Sequence, residues 1–315
     1  MSLTLDWSQI EPALSDVDLL EEMAAGFKAY SAGDCVVPPV GELLFDEPRG
    51  EVHIKYGYVR GGEHYVVKIA SGFPGNPQLG FPVGAGLMLL FKQKTGAIAR
   101  VLLDEGHLTN ERTAAAGALA SRTLAAPNVR CIGIVGAGVQ ARMQAAYHSR
   151  VFQEAEFVIW GRDEARRSEC VDALREQGLR VSAADSLEAL ASKCELIVTT
   201  TSATAPLLRA EWIRPGTHIT AVGSDTPEKQ ELETSLMALA DRVVCDSLEQ
   251  CRLRGEVAQA LQSGDITEDG VVELGAVLSG SAEGRCDPLE VSVCDLTGVA
   301  VQDLHIAEAV HRAQA

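Results

Sequence analysis

The chain has 315 residues, 46% hydrophobic and 23% charged, the composition of a folded globular protein with room for two domains. Its formal net charge of −17 repels phosphate backbones and acidic lipid surfaces, which argues against nucleic acid or a membrane as partner. The best apolar run, Phe81 to Phe91, is too short for a bilayer, and no basic residue precedes Lys28 to start a targeting signal, so a cytoplasmic protein is expected. The eight cysteines are scattered without CxxC pairs or nearby histidines, which reads as reduced thiols and no metal site.

In chain order, residues 10–31 have the spacing of an amphipathic helix ended by Gly33. Residues 36–100 are rich in β-branched and aromatic side chains. Runs at Glu51–Tyr58, His64–Ala70 and Gly86–Phe91, with turns at Arg60-Gly61-Gly62 and Lys94-Thr95-Gly96, predict a mainly antiparallel sheet. An alanine-rich helix follows from about Asn110 to Leu124, capped by Thr109. Strands and helices then alternate: Val129–Val135, a helix from Val139, Phe157–Trp160, a helix from Asp163, Leu179–Ser182, a helix from Ser186, then strands at Leu196–Thr200, Thr217–Gly223 and Arg242–Cys245. Short apolar strands alternating with helices predict an α/β fold with a Rossmann-type doubly wound parallel sheet. The stretch Val291–Val310 reads as a strand and a helix outside that run, returning to the first domain. The expected domains are 1–112 plus 296–315, a mainly antiparallel α+β substrate domain, and 113–295, a dinucleotide domain.

The apolar strand Cys131-Ile132-Gly133-Ile134-Val135 runs into Gly136-Ala137-Gly138-Val139-Gln140-Ala141 at the start of a helix. This is the context in which a GxGxxA turn holds a pyrophosphate: Gly136 allows the turn, Gly138 the close approach, and Ala141 the helix–strand packing. The second strand ends Trp160-Gly161-Arg162, with no carboxylate for a ribose until Asp163. A guanidinium at Arg162 suits a 2′-phosphate, so NADP is favoured, with NAD as the alternative. Thr113, Thr201 and Ser202 are further candidates for cofactor contact, although hydroxyls near turns are too common to carry weight alone.

Five ordered segments match one family: Lys68-Ile69-Ala70-Ser71-Gly72-Phe73-Pro74-Gly75-Asn76, Leu108-Thr109-Asn110-Glu111-Arg112-Thr113-Ala114-Ala115, the phosphate loop with Gln140, Val222-Gly223-Ser224-Asp225-Thr226-Pro227, and Gly298-Val299-Ala300-Val301-Gln302-Asp303. Over nearly the whole chain the sequence resembles the ornithine cyclodeaminase/μ-crystallin family. The resemblance implies a homodimer, formed through the first domain, that performs nicotinamide hydride chemistry at a carbon–nitrogen double bond. It assigns the substrate carboxylate to Arg112 and Lys68, proton transfer to Asp225, and cofactor contacts to the phosphate loop and Gly298. Arg112, placed in the first turn of its helix, would stand against the helix dipole, which suggests an anionic partner. On residue pattern alone, Asp225 is equally well read as the cap of a helix begun by Pro227.

Two positions depart from the family pattern. An arginine expected after the proline pair is Val40 here. The acidic residue that recognises a distal ammonium in the ornithine enzymes, thirteen positions before the motif lysine, is replaced by Lys55. If Lys55 faces the pocket it is a substrate-binding cation; if the register places it on the other strand face, it meets solvent. The sequence therefore points to an NAD(P)H-dependent reductase of a small α-imino acid such as a ketimine or pyrroline-2-carboxylate, reversible as an amino-acid dehydrogenase. A cyclodeaminase releasing ammonia, and a protein that binds NADPH and a small ligand without turnover, are the rival readings.

Overall fold

In the computed structural model, which describes residues 2–314, the chain divides into two units, Met1–Arg112 with Val299–Ala315, and Thr113–Gly298. The first begins with β1 (Thr4–Asp6), α1 (Trp7–Leu14), α2 (Leu19–Ser31), β2 (Cys35–Val36), β3 (Gly41–Phe45), β4 (Gly50–Val59), β5 (His64–Gly72), β6 (Gly84–Lys92) and β7 (Ile98–Leu103). The strands form one sheet in the order β1-β7-β6-β5-β4-β2, with β3 also on β4; every pairing except β1–β7 is antiparallel. The single helix expected over 10–31 is two helices. Asp18 takes the Leu20 and Glu21 amides on its carboxylate and starts α2 afresh.

Helix α3 (His107–Leu124) starts three residues before the expected Asn110, because the buried Asp104 carboxylate accepts the Leu108 amide at 2.8 Å. Arg112 therefore lies in the second turn, and its expected position against the dipole in the first turn does not hold.

The second unit contains β8 (Cys131–Val135), α4 (Val139–Val151), β9 (Glu156–Trp160), α5 (Glu164–Glu176), β10 (Val181–Ala183), α6 (Leu187–Lys193), β11 (Leu196–Thr199), β12 (Thr204–Leu208), β13 (His218–Ala221), β14 (Gln230–Leu232), α7 (Thr234–Leu239), β15 (Arg242–Cys245), α8 (Leu248–Cys251), α9 (Gly255–Ser263), β16 (Val271–Glu273), α10 (Leu274–Ser279) and β17 (Ser292–Asp295). Eight of these strands make a parallel sheet in the order β10-β9-β8-β11-β13-β17-β15-β16, while β12 and β14 pair separately. The strands β8, β11 and β13 are buried along their whole length; β8 and most of β11 are accordingly apolar, while β13 buries His218 and Thr220 as well. Asp163 and Ser186 cap α5 and α6, as the sequence suggests.

The C-terminal stretch corrects one expectation. Its strand, β17, does not leave the alternating run but lies inside the parallel sheet between β13 and β15. Val293 and Cys294 are fully buried, as a central parallel strand requires. Only the helix after it, α11 (Ala300–Ala313), belongs to the first unit, where it packs on α2, β4 and β5.

A chain of buried polar groups links helix and sheet inside the second unit. His148 sits between the Gln144 carbonyl and the Ser121 hydroxyl, which meets Thr220; Thr220 meets His218, and His218 meets Ser292. Burial lowers the two imidazoles to about 4 and about 3, so both are neutral and can link donors to acceptors along this chain.

Candidate functional site

The first unit holds a buried ion cluster. Strand alternation on β5 puts His64, Val66 and Lys68 on the buried face. Lys68 Nζ lies 3.2 Å from Asp303 Oδ2, and Arg112 Nε lies 3.1 Å from Asp303 Oδ1. The three come from β5, α3 and the first turn of α11, and Asp303 is wholly inaccessible to solvent. Arg112 also donates through Nη1 to Gln302 Oε1 at 3.4 Å. Burial alone would push the Asp303 carboxyl up; Lys68, then Arg112 and Lys55, outweigh it and hold the group below the ordinary carboxylate range. Asp104 is the second carboxylate of this neighbourhood. Burial pushes it up, while the Leu108 amide and the Lys68 charge pull it down.

Lys55 is registered directly opposite Lys68 across β4–β5, so both side chains leave the sheet on one face. It is 6% exposed, against 37% for the next residue, Tyr56. The alternative in which Lys55 faces solvent is excluded by that register. Three cations thus converge on a region whose carboxylates are Asp303 and Asp104. Further along β4, His53 stands between Glu42 and Glu51 at 3.5 and 3.6 Å.

The second unit carries the phosphate loop at the carboxyl end of β8. Gly136 adopts φ 133°, and a Cβ there would run into Thr200 Oγ1; only glycine fits. A Cβ on Gly138, by contrast, would meet nothing within 4 Å, so its backbone is open to a ligand. The loop opens on a cavity of about 320 Å³ whose walls include Gly136, Gly138, Arg162, Arg166, Thr201 and Ser202. Val139, Gln140 and Ala141 stand behind it in the first turn of α4, with Ala141 fully buried. The loop, the helix N-terminus and the two guanidinium groups fit a dinucleotide with its phosphates on the backbone amides. Asp163, the one carboxylate in these walls, accepts the Arg166 amide at 3.0 Å as the α5 cap.

Other expected residues have different surroundings. The Thr113 carbonyl accepts from Gln144 Nε2 at 3.1 Å. The Gly298 amide donates to Asp246 Oδ2 at 2.6 Å, and its carbonyl accepts from Gln250 Nε2 at 3.1 Å. Asp225 follows β13 and pairs with Lys229 Nζ at 2.7 Å, its side chain 42% exposed. No helix begins at Pro227: residues 226–229 form a turn, closed by the Lys229 amide on the Thr226 carbonyl, that leads into β14. The helix-cap reading of Asp225 is thereby removed.

Three important carboxylates were not singled out from the sequence. Asp303 sat in a motif already recognised, and an acid in the first turn of a helix otherwise apolar around it was the available signal. Glu231 and Glu256, both buried beside the Asp225 loop, had no local signal. Glu256 accepts the Glu231 and Leu232 amides at 2.8 and 3.1 Å, and burial, then the Glu231 charge, push its carboxyl up to about 8.

The Ornithine cyclodeaminase/mu-crystallin family model matches residues 3–314. An iminosuccinate reductase of Paracoccus denitrificans is 36% identical over 95% of this chain and 91% of its own length. Two solved structures superpose closely. An archaeal alanine dehydrogenase dimer with bound NAD has a TM-score of 0.90 at 31% identity, covering 99% of this chain and 95% of that one. The Δ1-pyrroline-2-carboxylate reductase of Thermococcus litoralis, in complex with NADH and L-proline, has a TM-score of 0.92 at 26% identity, covering 99% and 97%.

Two consequences can be measured. Asp303→Asn leaves two buried cations without their shared anion and should destabilise the protein by about 3–5 kcal/mol in chemical denaturation; a loss below about 1 kcal/mol would mean that water already screens the cluster. Because Glu256 holds a proton in the folded state up to about pH 8 and releases it near 4.5 when unfolded, the folded state binds more protons between those values. Stability contributed by this proton is present below 4.5 and is lost as pH rises toward 8, by up to ~1.4 kcal/mol per pH unit. Denaturation at pH 6.5 and 8 should show a smaller drop in Glu256→Gln than in wild type, and equal drops would contradict the assignment.

Proposed function

The chain belongs to the ornithine cyclodeaminase/μ-crystallin family, and from that premise we propose that it is an NADPH-dependent reductase of a small α-imino acid, reversible as an amino-acid dehydrogenase. The observation that carries the reading is the buried pair Lys68 and Arg112, each on one carboxylate oxygen of Asp303, with Lys55 opposite Lys68 on the neighbouring strand. Fixed, dehydrated cations of this kind are suited to a carboxylate. Lys68 and Arg112 bind the α-carboxylate of the substrate and so orient its C=N bond. Asp225 donates or accepts the proton on the substrate nitrogen, with Lys229 holding its carboxylate in place. When bound, a nicotinamide would supply the hydride to the imine carbon, or in reverse take it from the amine-bearing carbon. Gly136, Gly138, Thr201 and Ser202 would hold the dinucleotide, with Arg162 and Arg166 at its adenosine ribose; Thr113 and Gly298 support the loops around it. Two guanidinium groups, and a carboxylate committed to capping α5, favour a 2′-phosphate over a ribose diol.

The protein acts as a homodimer in this reading. The support is a sheet face on which Val67, Ile69, Leu87 and Leu89 are only partly buried, beside a stacked Tyr65–Phe91 pair with centroids 4.8 Å apart. The archaeal relative was solved as a dimer. Among the described residues no helix is long and apolar enough to cross a membrane.

NADPH oxidation, monitored by absorbance across imines made in situ from keto acids and amines, tests the activity. Turnover is expected with NADPH in preference to NADH, and Arg162→Ala should weaken NADPH roughly tenfold or more while sparing NADH. Asp225→Asn should lower kcat about a hundredfold. Ammonia release from an amino acid without net NADPH consumption would make the protein a cyclodeaminase instead, and cofactor quenching without turnover would make it a binding protein.

Lys55 should also set the side-chain preference. A second ammonium beside it would be buried against like charge, whereas a neutral or acidic side chain would not. Wild type should form no proline from ornithine, and imines of acidic side chain should lose kcat/KM in Lys55→Met. Rapid proline formation by wild type would sink this assignment; gain of it in Lys55→Glu would support it.

A further inference from the structure

Glu231 is fully buried on β14, and its carboxylate receives four hydrogen bonds. Oε1 accepts the Thr201 amide at 2.6 Å and the Thr201 hydroxyl at 2.7 Å. Oε2 accepts the Thr199 hydroxyl at 2.6 Å and the Gly223 amide at 2.9 Å. These donors come from the last residue of β11 and from two loops at the carboxyl edge of the parallel sheet. The first, after β11, supplies Thr200 to Ala203 to the wall of the dinucleotide cavity. The second, after β13, reaches Asp225 two residues past Gly223.

The loops are drawn unusually close at this point. A Cβ on Gly223 would collide with the Thr201 carbonyl oxygen and lie 2.6 Å from both the Thr201 nitrogen and Glu231 Oε2. An ionised carboxylate is the side chain that accepts at two atoms and donates at none, so it can gather four donors where a glutamine would turn a donor toward two of them. Burying such a charge costs several kcal/mol unless its bonds are complete. Here the backbone that carries it is itself fixed, because Glu256 accepts the Glu231 and Leu232 amides.

We propose that Glu231 is a positioning residue: its carboxylate fixes the cofactor-side loop at Thr201 and the proton-transfer loop at Gly223 against each other. This rests on the reading of the cavity as the NADPH site and of Asp225 as the proton-transfer group. Both loops must hold their geometry before substrate arrives, so a rigid buried anion shared between them preorganises cofactor wall and acid–base residue together. Substrate carboxylate binding belongs to Lys68 and Arg112 in the other unit and does not depend on Glu231.

The test compares Glu231→Gln and Thr199→Val with wild type by NADPH titration, followed through protein fluorescence quenching, and by steady-state kinetics per cofactor-binding site. Glu231→Gln should raise the NADPH Kd about tenfold and lower kcat about tenfold at saturating cofactor, with the imino-acid KM within twofold of wild type. Thr199→Val, which removes one donor from a fully buried side chain of the same shape, should move Kd and kcat in the same direction by roughly threefold, so the outcome does not depend on Glu231→Gln folding. Unchanged Kd and kcat per site in Thr199→Val and in folded Glu231→Gln would overturn the proposal, as would a rise in imino-acid KM as large as the fall in kcat. Failure of wild type to bind NADPH would instead overturn the reading of the cavity.

Discussion

A lysine and an arginine inside a protein need an anion, and here one carboxylate serves both. Asp303 is held ionised by Lys68 and Arg112 although it has no contact with solvent. Replacing such a triad by apolar residues would be no less stable on general grounds, so its presence argues for chemistry rather than for folding. It also explains the chain path. The last helix, α11, begins after β17 of the second unit yet belongs to the first; by returning there it brings Asp303 to cations that lie 235 and 191 positions earlier in the sequence.

The parallel sheet was largely legible because its signals are local. A buried parallel strand is mostly apolar on both faces, and a helix beginning after it is often marked by a cap or a glycine turn; Cys131–Val135, Gly136, Asp163 and Ser186 each display such a feature. The clamp was legible only through resemblance, because nothing near Lys68 in the chain indicates that Asp303 will face it. The direction of Lys55 depended on a strand register that one sequence leaves open, and the pairing with Lys68 decides it. The start of α3 was misplaced for a related reason: Asp104, three residues before the helix, accepts its second amide and draws the first turn forward. The strand Ser292–Asp295 is expected outside the alternating run yet lies inside that run's sheet, because apolar periodicity identifies a strand but not its neighbours.

Buried carboxylates recur in the second unit, where each accepts backbone amides of a loop, strand or helix start at the carboxyl edge of the sheet. Glu231 gathers Thr201 and Gly223, Glu256 fixes the strand carrying Glu231, Asp295 accepts the Val257 amide at the start of α9, and Asp246 holds Thr297 and Gly298. Burial pushes Asp295 and Glu256 well up, so these groups are costly to ionise and are retained against that cost. The pattern is of loops fixed before ligand arrives, which suits hydride transfer, where small errors in placement are expensive in rate.

Recognition of the substrate carboxylate by Lys68 and Arg112 can be probed by removing that carboxylate from the substrate. NADPH-dependent reduction of pyrroline-2-carboxylate and of the same ring lacking its carboxylate should be measured in wild type and in Arg112→Leu. For the truncated ring kcat/KM should fall by a large factor in wild type, and Arg112→Leu should add little further loss with it, since the two changes remove the same interaction. Losses that simply multiply would show that Arg112 acts elsewhere and would contradict the account.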